Sequence, residues 1–198
     1  MGATGDGATG RSAGHPDHQL DTVVVMGVSG VGKTTVADGL RRATGWAFAE
    51  GDTFHPPTNV AKMTAGTPLD DQDRLPWLAA LRDWIYAHEA DGFSSIVTCS
   101  ALKRSYRDIL REGNRSVRFC ALAADGGQLR NRVEHRQGHY MPALLLQSQF
   151  DALQPLDDDE PGVTVDAGGS PDDVVRRALD ALGLPALPAD QLTTGGNG

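Results

Sequence analysis

The chain has 198 residues with 18 Lys and Arg against 26 Asp and Glu, a formal net charge of −8. That balance excludes a general nucleic-acid binder, whose affinity rests on clustered cations that release counterions from phosphates. No apolar run approaches the roughly 18 residues of a membrane span, and two Cys exclude a disulfide framework or a four-Cys metal site, so a reducing, cytoplasmic setting is expected.

Residues 1–20, MGATGDGATGRSAGHPDHQL, carry neither an apolar nor a basic leader signature and read as a disordered arm. Residues 183–198 read as a second tail, leaving one domain of ordinary size over residues 21–182. TVVVMG, residues 22–27, is a buried strand bounded by glycine. The helix after it carries Val36, Ala37, Leu40 and Ala43 inward and closes at Gly45. AFAE, residues 47–50, is a second short strand. Between residues 75 and 88, Trp77, Leu78, Leu81, Trp84, Ile85 and His88 fall on one helical stripe, which makes the two Trp core residues rather than a ligand platform. SSIVTC (94–99) and VRFCAL (117–122) are further strands, each followed by an amphipathic segment; Tyr106, Ile109 and Leu110 form the buried stripe of the first segment. VTVDA (163–167) is the last strand, and SPDDVVRRALDAL is a helix with Ser170 as N-cap, Pro171 as first residue and Asp172 and Asp173 set against the dipole. Strand alternating with helix in one domain argues an α/β fold with a parallel, helix-covered sheet and right-handed crossovers.

The most specific local signal is GVSGVGKT, residues 27–34, which meets G-x-x-x-x-G-K-[ST] at every fixed position between a strand and a helix. Gly27, Gly30 and Gly32 let the backbone approach a phosphate closely, and successive N–H groups at the helix start make a concave anion site. Gly27, Val28, Ser29, Gly30, Val31, Gly32, Lys33, Thr34 and Thr35 are therefore the expected nucleotide-binding residues. Lys33 is expected at the β- and γ-phosphates and the Thr34 hydroxyl on Mg²⁺. The chain has no N-K-x-D element of a guanine-specific GTPase, and SSIVTC does not end in the aspartate of a mechanochemical ATPase. What remains is a kinase of a small molecule, which needs an acceptor pocket, a carboxylate near the acceptor hydroxyl and cations around the transferred group.

Directly after the second strand stands EGDTFHPPTNVAKM, residues 50–63. Ligands of a parallel sheet lie outside the carboxyl ends of its strands, so Glu50 and Asp52 fall beside the phosphate site. Asp52 is placed to orient an attacking hydroxyl and Glu50 to touch the Mg²⁺ shell, while a plain turn residue is the competing reading of a strand-end Asp.

These blocks together resemble the bacterial gluconate kinase family of P-loop small-molecule kinases. GVSGVGKT, GDTFHPPTNVAKMTAGTPLDDQDRLPWL, CSALKRSYRDILREGN and HRQGHYMPALLLQSQFDALQPL match that family's successive blocks in order and spacing, across most of residues 23–156. The resemblance implies a P-loop NTPase fold like that of nucleoside monophosphate kinases, with a five-stranded parallel sheet, helices on both faces and a small lid at about residues 130–142. It implies transfer of the ATP γ-phosphoryl group to the terminal hydroxyl of D-gluconate, with Mg²⁺, in a homodimer. Matched positions that would read the acceptor are Asp52, His55, Asn59, Lys62, Asp73, Arg74, Ser100, Lys103, Arg107 and His139, with Lys103 and Arg107 the candidates for its carboxylate. For Arg74 a helix-capping pair with Asp70, Asp71 or Asp73 is an equal alternative, and His55 before two prolines is open between reader and loop anchor. Arg132 and Arg136, four apart on one helical face, would join Lys33 and Asp52 in catalysis by bringing cations to the phosphates. Glu50 replaces the expected Asp, so its contact with Mg²⁺ is direct or through water; Gln154 stands where Glu is frequent. The basic stretch of residues 99–136, with nine Lys and Arg against four acids, gains a ligand-based explanation, and the acidic run 157–160 reads as a solvated loop. A kinase of another small acceptor, such as shikimate or a related sugar acid, and a non-catalytic nucleotide-binding regulator are the alternatives.

Overall fold

The structure is a computed structural model that describes residues 20–124 and 143–184. Its elements in chain order are β1 (Thr22–Met26), α1 (Lys33–Thr44), β2 (Ala47–Glu50), a 3₁₀ turn (Gly51–Phe54), α2 (Pro57–Thr64), α3 (Asp71–Ala90), β3 (Ser95–Thr98), α4 (Arg104–Arg111), β4 (Val117–Ala123), α5 (Ala143–Ala152), β5 (Gly162–Asp166) and α6 (Pro171–Leu182). All five strands are parallel and lie in the order β2-β3-β1-β4-β5. This is the P-loop kinase architecture expected from sequence.

β1 is central, with Val24 opposite Val97 on one side and Phe119 on the other, and every one of its residues is buried. Burial on both faces explains its unbroken run of Val. Successive side chains of a strand point to opposite faces, and here they feed two separate cores. Val23 and Val25 pack with Val36 and Leu40 of α1 and Val174 and Ala178 of α6. Val24 and Met26 pack with Trp77, Leu78, Leu81 and Ile85 of α3 and with Tyr106 and Leu110 of α4. Leu184, two residues beyond α6, is buried in the first of these clusters.

The helix holding the Trp77 stripe begins at Asp71, earlier than the stripe itself, because Asp70 caps it. The Asp70 carboxylate accepts from the Asp73 N–H at 2.8 Å and the Asp73 carboxylate accepts from the Asp70 N–H at 3.1 Å. Helix α2 and the 3₁₀ turn form in a stretch with no strand or helix period in its sequence; Pro57 opens α2 at the position where its missing N–H costs nothing. Ser170 caps α6 as expected, accepting from the Asp173 N–H at 3.2 Å.

Candidate active site

The carboxyl ends of β1, β2 and β3 converge on one crevice, and the phosphate loop closes its floor. Gly27 has φ +137° and a Cβ there would sit 2.9 Å from the Leu122 carbonyl oxygen, so both conformation and space demand glycine. Its N–H donates to the Ser100 carbonyl at 3.2 Å, tying the loop to the end of β3. Val28 and Val31 are buried and anchor the loop in the core. Helix α1 begins at Lys33 with Gly32 as its cap, no side-chain cap and no acidic residue in the first turn, whereas α3 and α6 have both. Its first N–H groups and the positive end of its dipole are thus directed at whatever anion enters. Lys33 folds back over its own loop, with Nζ donating to the Val28 carbonyl at 3.2 Å, and Thr34 and Thr35 are exposed beside it.

The other wall of the crevice is built on Gly51, where a Cβ would run into the Thr98 carbonyl oxygen. The absence of a side chain lets β2 turn sharply against the end of β3 and carry Asp52 to the exposed lip of the crevice. Trp77 holds this turn from below: its Nε1 donates to the Gly51 carbonyl at 2.7 Å, and the His55 ring stacks on its indole at 4.2 Å and 16°. Trp77 is a core residue, as expected, and a platform for His55 as well. Burial pushes the His55 pKa down, with Asp52 opposing and Arg74 adding to the shift, so the ring is neutral at pH 7. Lys33, Asp52 and Arg74 all act electrostatically on Cys99, the buried thiol at the end of β3, which desolvation pushes up to about 12. All three charged groups therefore lie near the same strand end. Glu50 stands at the last position of β2; its Oε1 accepts from the Thr98 hydroxyl, while its Oε2 is buried with no hydrogen-bond partner among the described residues.

Beside the Asp52 turn lies a small polar cavity of about 90 Å³, walled by Asp71, Arg74, Lys103, Tyr106 and Gln149 over Leu69 and Leu102. Lys103 Nζ contacts both Asp71 oxygens, at 2.6 and 2.9 Å, and the Tyr106 hydroxyl donates to Asp71 at 2.5 Å. These bonds hold the Asp71 carboxyl below its usual range. Arg74 lies with its guanidinium 5.8 Å from the Tyr106 ring centre and donates to the Leu69 carbonyl at 3.4 Å. The capping box joins Asp70 to Asp73, Asp71 pairs with Lys103 and Asp73 with Lys62, so the capping pair considered for Arg74 does not form.

Several predicted readers already have protein partners. Asn59 is 2% exposed; its Nδ2 donates to the Asp73 carbonyl at 2.7 Å and lies 3.4 Å from His55 Nδ1. Lys62 pairs with Asp73 at 2.6 Å. Both contacts dock α2 on the start of α3. Arg107 requires a correction. Its side chain is 0% exposed and paired with Glu160, also 0% exposed, with Nε and Nη2 each 2.6 Å from a carboxylate oxygen. Nη1 donates to the Gln154 carbonyl at 3.0 Å and the Ala101 carbonyl at 3.3 Å, and Nη2 to the Pro155 carbonyl at 3.1 Å. A guanidinium has five N–H groups, and these partners leave none for an acceptor carboxylate. The acidic run is a solvated loop only in part: Asp157, Asp158 and Asp159 are exposed, with Asp157 and Asp159 bound to Arg104 at 3.0 and 2.6 Å, whereas Glu160 is buried against Arg107. Much of the basic stretch is therefore balanced by the chain's own acids.

Arg132, Arg136, His139 and the expected lid lie outside the described residues. Sequence reasoning named Asp71 only as a possible capping partner of Arg74 and missed its bonds to Lys103 and Tyr106 in the cavity wall. It also missed the polar end of Tyr106, assigned only to a buried stripe, and Gln149. The Gln149 amide oxygen accepts from the Ser29 N–H at 2.7 Å and its NH₂ donates to the Ser29 hydroxyl at 3.0 Å; its only sequence signal is membership of the block that ends in SQFDALQPL.

None of the protein-family models matches the chain. Gluconokinase from Gluconobacter oxydans (strain 621H) is 48% identical over 157 residues, which cover 79% of this chain and 88% of that protein. The crystal structure of an unliganded sugar kinase from Janibacter sp. HTCC2649 matches with a TM-score of 0.80 at 48% identity, over 88% of this chain and 99% of that one. A gluconokinase from Sinorhizobium meliloti 1021 matches with a TM-score of 0.76 at 43% identity, over 82% and 91%. With a phosphate loop and a cavity carrying Arg74 and Lys103 at the carboxyl ends of one parallel sheet, and relatives this similar along most of its length, the chain belongs to the gluconokinase family.

Proposed function

We propose that this chain transfers the γ-phosphoryl group of ATP to the 6-hydroxyl of D-gluconate, giving 6-phospho-D-gluconate and ADP. The observation that carries the reading is the convergence of the uncapped start of α1, the Asp52 turn and the cavity containing Arg74 and Lys103 on the ends of β1, β2 and β3. An anionic donor and an anionic polyol acceptor are the ligands such a crevice suits, with a carboxylate between them.

In this reading the loop of residues 27–35 holds the nucleotide phosphates, and Lys33 swings from the Val28 carbonyl to the β- and γ-oxygens. Asp52 orients the 6-hydroxyl and takes its proton as the new O–P bond forms and the bond to ADP breaks. Arg74 and Lys103 meet the gluconate carboxylate, and Ser100 and His55 are placed at the crevice to read hydroxyls. Asn59 and Lys62 support that pocket through the start of α3. Arg132, Arg136 and His139 enter this proposal through the family resemblance alone. Mg²⁺ supplies charge neutralisation across the phosphates when bound. Among the described residues no cluster of three or more His, Cys, Asp or Glu would hold a metal unaided, which suits an ion that takes phosphate oxygens and few protein ligands. Thr34 and Glu50 are the residues that would hold it, and the buried, unpartnered Oε2 of Glu50 fits that role. Among the described residues no helix is long and apolar enough to cross a membrane; a cytoplasmic homodimer belongs to the same proposal.

An acceptor panel in a coupled ADP-release assay tests the function. D-gluconate should stimulate release strongly, and shikimate and other sugar acids weakly. Preference for another acceptor would replace the substrate, and nucleotide binding that no acceptor stimulates would favour a regulator. Asp52→Asn should lower kcat by about 10²-fold or more with a smaller change in the KM for gluconate; a pure KM effect would make Asp52 a binding residue only.

A further inference from the structure

Between the phosphate loop and the acceptor cavity stands one side chain, Gln149 on α5. Its bonds to Ser29 span 120 residues of sequence, and they fix the orientation of the amide. The Ser29 N–H can only donate, so the oxygen of Gln149 faces it at 2.7 Å and the NH₂ group faces the hydroxyl at 3.0 Å. Ser29 sits between Gly27 and Gly30, both at positive φ, where the backbone has little conformational preference of its own. Contacts from outside must hold such a loop in shape. Gln149 also lines the cavity walled by Asp71, Arg74, Lys103 and Tyr106.

The C-terminal end of α5 is tied to the same cavity wall. The Gln154 N–H donates to the Leu102 carbonyl at 2.8 Å, and its side-chain oxygen accepts from the Arg104 N–H at 2.7 Å. Arg107 binds the carbonyls of Ala101, Gln154 and Pro155. The segment that carries Lys103 is thus fastened to the helix that carries Gln149, and Gln149 is fastened to the phosphate loop. We infer that Gln149 is a positioning residue that couples the two sites, so that nucleotide and acceptor each tighten the binding of the other through its amide. This inference rests on the gluconokinase reading for the identity of the acceptor and on geometry alone for the link to the loop.

The test measures the Kd of a non-hydrolysable ATP analogue with and without saturating D-gluconate, for the wild type, Gln149→Ala, Gln149→Glu and Ser29→Ala. In the wild type gluconate should tighten the analogue about fivefold or more, within the ordinary range of coupling between sites. Gln149→Ala should bring that factor to within twofold of unity, and Ser29→Ala, which keeps the N–H and loses only the hydroxyl, should remove part of it. Ser29→Ala also serves if Gln149→Ala does not fold. Gln149→Glu keeps an oxygen on the Ser29 N–H but sets a full negative charge near the phosphates. It should therefore weaken the analogue more than Gln149→Ala does, even with no acceptor present. Undiminished coupling in Gln149→Ala, or no coupling in a wild type that phosphorylates gluconate, overturns the inference. If the wild type does not use gluconate, the substrate reading fails, and the same comparison run with the acceptor that the panel identifies decides the coupling.

Discussion

Lys33→Ala should lower kcat by about 10²- to 10³-fold, the usual cost of removing one preorganised group from developing charge, with a melting temperature close to that of the wild type. Stability should survive because Lys33 stands where the helix dipole disfavours a cation. It is the first residue of α1, and its bond to the Val28 carbonyl, at 3.2 Å, is to a neutral acceptor. Alanine is also the better helix former. The local structure thus tolerates a lysine that an anionic ligand would favour, which is how a residue kept for chemistry differs from one kept for folding. Steady-state kinetics with ATP and gluconate beside a thermal melt separate the two effects. A folded variant with near-normal kcat would remove Lys33 from the catalytic assignment.

What was legible in the sequence is what is decided locally. Residues 22–34 announce strand, loop and helix because the spacing of Gly27, Gly30, Gly32 and Lys33 and the burial of Val23, Val24 and Val25 depend on near neighbours. The Trp77 stripe is equally legible, since helical periodicity needs only its own helix. The start of that helix was not, because its capping box uses Asp73 where Glu or Gln is the usual signal. Helix α2 hid behind Pro56 and Pro57, which signal a loop as readily as a helix start. The family resemblance placed Asp52, Arg74 and Lys103 in one neighbourhood, and the structure puts Arg74 and Lys103 in one cavity wall with Asp52 on the adjoining turn. Arg104 and Arg107 show the limit. They are neighbours on an eight-residue helix and identical in type, and their fates are set by acids at 157–160 some fifty residues away. No periodicity or motif encodes that pairing. Gln149 was illegible for a similar reason: an amide is neutral and common, and only the fold shows that its partner is Ser29.

Arg107→Ala should destabilise the protein by about 3–5 kcal/mol, the typical cost of leaving half of a buried ion pair unpaired. The variant keeps Glu160 in its buried position without a counter-charge and strips partners from the carbonyls of Ala101, Gln154 and Pro155. Ala101 adds to the loss, since it holds a left-handed conformation (φ +42°) that is unfavourable for a residue with a Cβ. The pH dependence gives the effect a signature. In the wild type Arg107 holds the Glu160 pKa below its ordinary value, the hydrogen bonds outweighing burial. The pair therefore stabilises the fold above the ordinary glutamate value near 4.5, and that stability is lost as pH falls below it through the folded pKa. In Arg107→Ala burial is opposed only by the Asp157 N–H and by Arg104, so the pKa rises relative to the wild type and the carboxyl is more readily neutralised in acid. The gap between variant and wild type in urea unfolding should be widest near pH 7 and should narrow toward pH 4. Arg107→Met combined with Glu160→Leu should recover much of the loss, because an apolar pair of similar volume leaves no charge buried. Were Arg107 instead a reader of the acceptor carboxylate, Arg107→Ala would fold like the wild type at every pH and raise the KM for gluconate by about 10²-fold, the loss expected for a charged hydrogen bond. That outcome would return Arg107 to the acceptor site and leave Glu160 without a structural reason for its burial.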